Sequence, residues 1–218
     1  MTLVACHQPN FLPWLGFFDK LAQSDRFVLL DAVQFPRTSR GTYTNRVQLL
    51  IGGRPAWLTV PVVRDGVQRI GEVRIDDRQP WRRKAVRSME QSYAKAPGFA
   101  ATMPLVRELL EHDTDRIAEL NERAIRRLAP EHAHKLVRQT ELGDVPGAAT
   151  DLLIGLVRAA GGDAYLSGDG ADGYQEEPKY AAAGLGFRLQ GFAHPDTGGP
   201  PGLSIVDARM RGLAGLGL

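Results

Sequence analysis

Histidine, glutamine and asparagine stand close together at His7, Gln8 and Asn10, with Pro9 and Pro13 between and beyond them and Trp14 directly after. An imidazole exchanges protons near neutral pH. Amide side chains both donate and accept, and an indole offers a flat apolar wall. Proline fixes φ and cannot continue a helix or a ladder, so these groups are held in place rather than tethered loosely. The run therefore reads as a substrate or phosphate clamp with His7 as candidate acid or base. The bland alternative is a proline-rich turn whose side chains only satisfy nearby backbone. Cys6 precedes His7, and a thiolate beside an imidazole is a nucleophile pair in principle. Successive strand residues point to opposite faces, so Cys6 is read as core.

Further candidates are spread along the chain. Asp31 closes an apolar run and Gln34 follows it; a carboxylate there could take a proton or bind a hydroxyl or an amine, or merely cap a turn. Arg37, Arg40, Asn45 and Arg46 surround a Thr/Ser/Gly/Tyr loop, and planar guanidiniums suit carboxylates or phosphates. Of this stretch, Thr44-Asn45-Arg46 is the binding candidate, Asn45 and Arg46 above all. Trp57, Thr59 and Pro61 alternate along a strand-like stretch, where one face could line a pocket or pack in the core. The helix start Trp81-Arg82-Arg83-Lys84 reads as a solvated face. Tyr165-Leu166-Ser167-Gly168-Asp169-Gly170 offers a hydroxyl and glycine backbone, a moderate anion-cradle signal that is neither a P-loop nor Gly-x-Gly-x-x-Gly. His194, before Pro195, completes the set. The spacing of the histidines provides no zinc site.

These residues need elements to carry them. Thr2 to Cys6 reads as a buried strand, Trp14 to Gln23 as a helix, and Arg26 to Asp31 as a second strand with no alternation, together a βαβ unit. Asn45 to Leu50 and Ala56 to Val62 flank Gly52-Gly53 as a β-hairpin, with Val73 to Ile75 as a third strand. Helices are expected over Pro80 to Tyr93, Pro104 to His112 and Asp115 to Leu128, the last capped by Asp113 or Thr114. The parallel pattern returns with strands His134 to Arg138, Ala164 to Ser167 and Phe187 to Phe192. Helices Ala149 to Ala160 and Glu176 to Ala183 alternate with them, and an amphipathic turn spans Ser204 to Met210. The expected fold is a Rossmann-like α/β domain over 1–212, with a parallel sheet and helices on both faces. A β-hairpin insertion falls at about 44–76, helices at about 80–128, and a frayed tail at 213–218.

The chain has 218 residues, 43% hydrophobic and 24% charged, with net charge +2. That balance is ordinary for a soluble domain and offers no bulk affinity for nucleic acid. One cysteine excludes an internal disulfide and a cysteine metal cluster. No apolar run is long enough to span a bilayer and no secretory leader is visible, so the expected setting is the cytoplasm.

The run His7-Gln8-Pro9-Asn10-Phe11-Leu12-Pro13-Trp14-Leu15-Gly16-Phe17-Phe18-Asp19-Lys20 resembles the opening motif of the WbqC-like family. Asp31-Ala-Val-Gln34-Phe35, Asn45-Arg46, Trp57-Leu58-Thr59-Val60-Pro61, Tyr165-Leu166-Ser167-Gly168 and Leu203-Ser204-Ile205-Val206-Asp207 extend the resemblance, in order, from about residue 3 to 210. It implies a surface-polysaccharide or natural-product setting. Two segments depart from the pattern. Val145-Pro146-Gly147-Ala148-Ala149 stands where relatives often carry lysine. Asp196-Thr-Gly-Gly-Pro-Pro-Gly lacks the usual aromatic and Gln. Some relatives also replace His7 while keeping Gln-Pro, which favours Gln8 and Asn10 as binding groups. A more distant likeness to α/β nucleotidyl-transfer (HUP-like) enzymes, pantothenate synthetase-like ones included, implies fold only, since His-x-Gly-His and Lys-Met-Ser-Lys-Ser are absent.

Three functions are consistent with these residues. One is a biosynthetic transferase or ligase-like enzyme forming an acyl or aminoacyl amide on an amino sugar or other small metabolite. There His7 or Asp31 would take the amine proton, and Gln8, Asn10, Trp14, Gln34, Asn45, Arg46, Thr59, Tyr165, Ser167, Gly168 and His194 would bind the partners. The others are nucleotidyl or adenylyl transfer and a non-catalytic small-molecule binding protein. The expected partners are small molecules, an amino sugar or an activated acyl or aminoacyl donor. Cofactor use and oligomeric state stay open.

Overall fold

The computed structural model describes residues 1–36, 42–171 and 175–213. Arg37, Arg40 and the tail beyond 213 lie outside those residues. The chain opens with β1 (Leu3–His7), α1 (Leu15–Gln23) and β2 (Arg26–Leu29), then a hairpin of β3 (Arg46–Ile51) and β4 (Arg54–Thr59). Helices α2 (Trp81–Tyr93), α3 (Phe99–Leu110) and α4 (Ile117–Leu128) come next. The chain then returns to β5 (Leu136–Arg138), α5 (Ala149–Ala159), β6 (Ala164–Ser167), α6 (Glu177–Ala182), β7 (Gly186–Leu189) and α7 (Ile205–Met210).

Five strands form one sheet in the order β5-β2-β1-β6-β7, and every pairing is parallel. Renumbering those strands alone gives 3-2-1-4-5, five of the six strands of the doubly wound order 3-2-1-4-5-6, which reverses beside its first strand. The α/β, Rossmann-like expectation holds, and the hairpin is a separate antiparallel pair. Its turn is made by Gly52 and Gly53, both at positive φ (59° and 77°), as a tight hairpin turn requires.

Both sheet faces are covered. Leu3, Ala5, Phe27, Leu29 and Leu166 point into the larger core with α1, α2, α3, α4 and α7. Val4, Cys6, Val28 and Tyr165 point the other way, onto α5 and Tyr180 of α6. Strands buried on both faces carry continuous apolar runs, which is why β1 and β2 show no alternation.

Several boundaries differ from the sequence expectation. The second strand ends at Leu29, and Asp31 N–H turns back to the Leu29 carbonyl (2.9 Å), so Asp31 sits past the strand. Val73 to Ile75 is no strand: it makes isolated bridges from Ile75 to Val62 and from Arg74 to Arg116, after a 3-10 turn at Ile70–Glu72. Helix α3 starts at Phe99 and carries Pro104 inside it, where the proline had suggested a start. Residues 130–135 form a 3-10 turn, and only Leu136–Arg138 pair as β5. The last strand stops at Leu189, short of Phe192.

Candidate functional site

The Pro9 to Trp14 turn is clamped from three directions. Phe11 N–H donates to the Tyr43 carbonyl (2.9 Å), and Thr44 Oγ1 donates to Gln8 Oε1 (3.2 Å). Asn121 Nδ2, fully buried on α4, donates to the carbonyls of Pro9 (2.8 Å) and Thr44 (2.7 Å). Ser204 Oγ donates to the Leu12 carbonyl (2.7 Å), accepts from Val206 N–H (3.1 Å) as the cap of α7, and Ile205 N–H donates to the Pro13 carbonyl (2.8 Å). Leu12 is held at φ 42°, in the left-handed region a leucine avoids, and these bonds hold it there. The lead-in to the hairpin, α4 and α7 thus converge on the turn that leaves β1.

Trp14 folds back over the start of α1. A Cβ on Gly16 would lie 2.3 Å from Trp14 Cη2 and Cζ3, so glycine there is what lets the indole lie flat against the helix. Phe192 closes on the indole edge to face, with centroids 5.5 Å apart.

Two cavities meet at this turn. The larger, about 580 Å³, lies at the carboxyl ends of β1 and β6, where the strand order reverses. His7, Trp14, Phe17, Lys20, Tyr165, Gly168, Gln190, Phe192 and His194 are among its walls. The second, about 500 Å³, is lined by His7, Gln8, Asn10, Trp14, Tyr43, Pro201 and Gly202. His7, Trp14 and Pro201 are common to both.

His7 is neutral at physiological pH. Burial first and the Lys20 charge second lower its pKa to about 4, against a small opposing effect of its bond to the Gln8 carbonyl. Its Nδ1 carries the proton of that bond (2.9 Å), so Nε2 is left as the basic nitrogen. Phe17 packs edge to face on the ring at 5.0 Å. Cys6 is buried, and burial pushes its thiol up to about 12. A thiolate at Cys6 is therefore disfavoured, and its placement in the apolar core matches the sequence reading.

The residue that sequence reasoning passed over is Lys20. It is 4% exposed on α1, and its Nζ donates to the Cys6 carbonyl (3.1 Å) and lies 5.7 Å from the Tyr165 ring centroid. Burial lowers its pKa to about 8, with Cys6 and Asp169 opposing. At about 1.4 kcal/mol per pKa unit, keeping this ammonium charged costs on the order of 3 kcal/mol. One signal was available: Lys20 follows Gly16 by four residues, so both lie on the helix stripe under Trp14. Gln190, also missed, donates from Nε2 to the Gly16 carbonyl and to Asp19 Oδ2, both at 2.7 Å, and fixes the cleft floor.

The other sequence candidates divide. Gln8, Asn10, Trp14, Tyr165, Gly168 and His194 line one cavity or the other. Asp31 lines neither; its carboxylate accepts from Thr140 N–H (3.1 Å) and Thr140 Oγ1 (2.7 Å), which ties β2 to the turn after β5. Gln34 is exposed and bridges Arg69 through backbone. Asn45 is spent on the Val60 carbonyl (3.0 Å). Arg46 lies over the Trp57 ring (4.0 Å) and donates to the Thr42 carbonyl, and Thr59 is exposed opposite it on the hairpin. Ser167 is fully buried, its Oγ within 3.3 Å of the Gly168 carbonyl. Among the described residues, no three His, Cys, Asp or Glu side chains cluster as metal ligands, and no helix is long and apolar enough to cross a membrane.

Comparison with known proteins adds a family. The model of the WbqC-like protein family matches residues 8–212. An uncharacterized protein of Mycobacterium tuberculosis (strain ATCC 25618 / H37Rv), Rv1507c, is 30% identical over 185 residues, 81% of this chain and 77% of that protein. No solved structure matches the chain.

Proposed function

The chain belongs to the WbqC-like protein family, and from that premise and its paired cavities we propose that it is a biosynthetic transferase or ligase-like enzyme forming an acyl or aminoacyl amide on the amine of an amino sugar or other small metabolite. One observation carries the reading: His7 and Trp14 wall both cavities, so two small molecules bound side by side would meet at the imidazole. The larger, more aromatic cavity takes the activated acyl donor. The smaller, with Gln8, Asn10 and Tyr43, takes the amine, whose hydroxyls the amides would bind. Holding both partners in place supplies most of the rate such a site can give. The amine nitrogen attacks the acyl carbon, the leaving group departs with its electron pair, and His7 Nε2 accepts the amine proton. Proton transfer is assigned to His7 rather than Asp31, because Thr140 already occupies the Asp31 carboxylate. The single cysteine, buried as a thiol, is in keeping with a cytoplasmic setting.

The test is to incubate the protein with panels of amino sugars and activated acyl or aminoacyl donors and to follow product mass. An amide product is expected, with turnover reduced about 10²- to 10⁴-fold in His7→Asn. Undiminished turnover by His7→Asn would remove the assigned role, and no product across the panel would remove the reaction. A second reading, nucleotidyl or adenylyl transfer, is favoured by the 3-2-1-4-5 strand order and the cleft at its reversal. Calorimetry with ATP and magnesium separates the two.

A further inference from the structure

Lys20 is a buried charge that no carboxylate of the described residues contacts directly. Its ammonium makes one hydrogen bond, to the Cys6 carbonyl, and no carboxylate lies within salt-bridge distance of it among the described residues. Asp169, the acidic group that acts on it from the next strand end, has both oxygens engaged elsewhere, accepting from Gly191 N–H (2.8 Å) and Phe192 N–H (2.7 Å). A buried ammonium is kept where something pairs with it. The glycine at 168 leaves the space beside it to backbone: a Cβ built there would sit 3.9 Å from Lys20 Nζ and 3.8 Å from Gln190 Oε1, in the volume a ligand would use. The next glycine, Gly170, also lines the cleft and has nothing within 4 Å of a built Cβ.

We propose that Lys20 and the Gly168–Asp169–Gly170 turn form the binding site for an anionic oxygen group, phosphoryl or carboxylate, carried by the donor in the larger cavity. This deepens the proposed function, since it names the donor as an anion, and it rests on the same cleft being a ligand site. It also couples binding to chemistry. Lys20 is the charged group that depresses His7, second to burial, so an anion that neutralises Lys20 makes His7 more basic. The imidazole would then be a better proton acceptor with the donor in place than without it.

The experiment measures binding rather than turnover, so its failure is separate from failure of the amide-forming reading. Thermal unfolding and calorimetry are run with inorganic pyrophosphate and, in a second arm, propionate. Wild type is expected to be stabilised by at least one of them, and the arm that acts distinguishes phosphoryl from carboxylate. Lys20→Met is expected to bind it roughly ten- to a hundredfold more weakly, the effect of losing one charge-assisted hydrogen bond. In wild type, the His7 imidazole followed by NMR is expected to titrate at higher pH once the anion is bound. Unchanged affinity in Lys20→Met, or no response of wild type to either anion, would overturn the proposal. Should Lys20→Met not fold, the wild-type His7 titration decides: a pKa unmoved by both anions overturns it.

Discussion

At the residue scale, the account turns on two groups whose protonation the fold alters. His7 has its pKa lowered to about 4 from 6.5, and Lys20 to about 8 from 10.5. Between 6.5 and 4 the unfolded chain holds more protons than the folded one, so His7 makes stability fall as pH drops through that window. Between 8 and 10.5 the same inequality holds for Lys20, so stability rises as pH increases there. His7→Asn is expected to flatten the acid limb by about 1–3 kcal/mol, since the ring is partly open to the cleft, and Lys20→Met to remove the alkaline rise. Chemical denaturation across pH measures both. An acid limb unchanged in His7→Asn would mean the imidazole charges freely in the folded state. His7, Gln8, Asn10 and Trp14 were legible as a site because their types crowd one proline-bounded turn. Lys20 was not, because a lysine on an amphipathic helix ordinarily faces water, and only tertiary packing buries it.

At the scale of elements, the turn after β1 is as well fixed as its partners. Asn121→Ala removes both donors to the Pro9 and Thr44 carbonyls from a fully buried site. A loss of about 2–4 kcal/mol is expected by thermal or denaturant unfolding. A loss within error would place the turn's rigidity in the prolines alone. Gly16→Ala acts differently: helix propensity gains about 1 kcal/mol, but the new methyl meets the Trp14 indole at 2.3 Å and must swing it. Near-unchanged stability with weakened binding of whichever anion the wild type takes, pyrophosphate or propionate, is the expected pair of results; unaltered binding would show that the indole does not shape the cleft. Strand and helix types followed from periodicity, whereas their ends did not. Asp31 closes an apolar run yet lies beyond the ladder, because its backbone turns back on Leu29 and Thr140 takes its carboxylate. Pro104 reads as a helix start, but α3 begins at Phe99 and accommodates it. Asn45 and Arg46 looked like binding groups because their types are polar; their partners, the Val60 carbonyl just past the facing strand and the Trp57 ring on it, are invisible locally.

At the scale of the whole molecule, β1 sits where the parallel sheet reverses its order, and the chain returns to it repeatedly. The hairpin lead-in, α4 and α7 fix the turn, while β6 and the residues after β7 build the far wall of the larger cavity. That β1 would be flanked by β2 was legible from the first 31 residues as a right-handed βαβ unit. That β6 would flank it on the other side depends on contacts made more than 130 residues later. The central claim is that His7 lies between two cavities that each take a ligand. The most direct measurement is the NMR signal of the His7 imidazole during titration with whichever of pyrophosphate and propionate binds and with glucosamine, each alone and then together. The account predicts a shift with each ligand and a further shift when the second is added to protein saturated with the first. A His7 signal that responds to neither, or a second ligand that merely displaces the first, would contradict it.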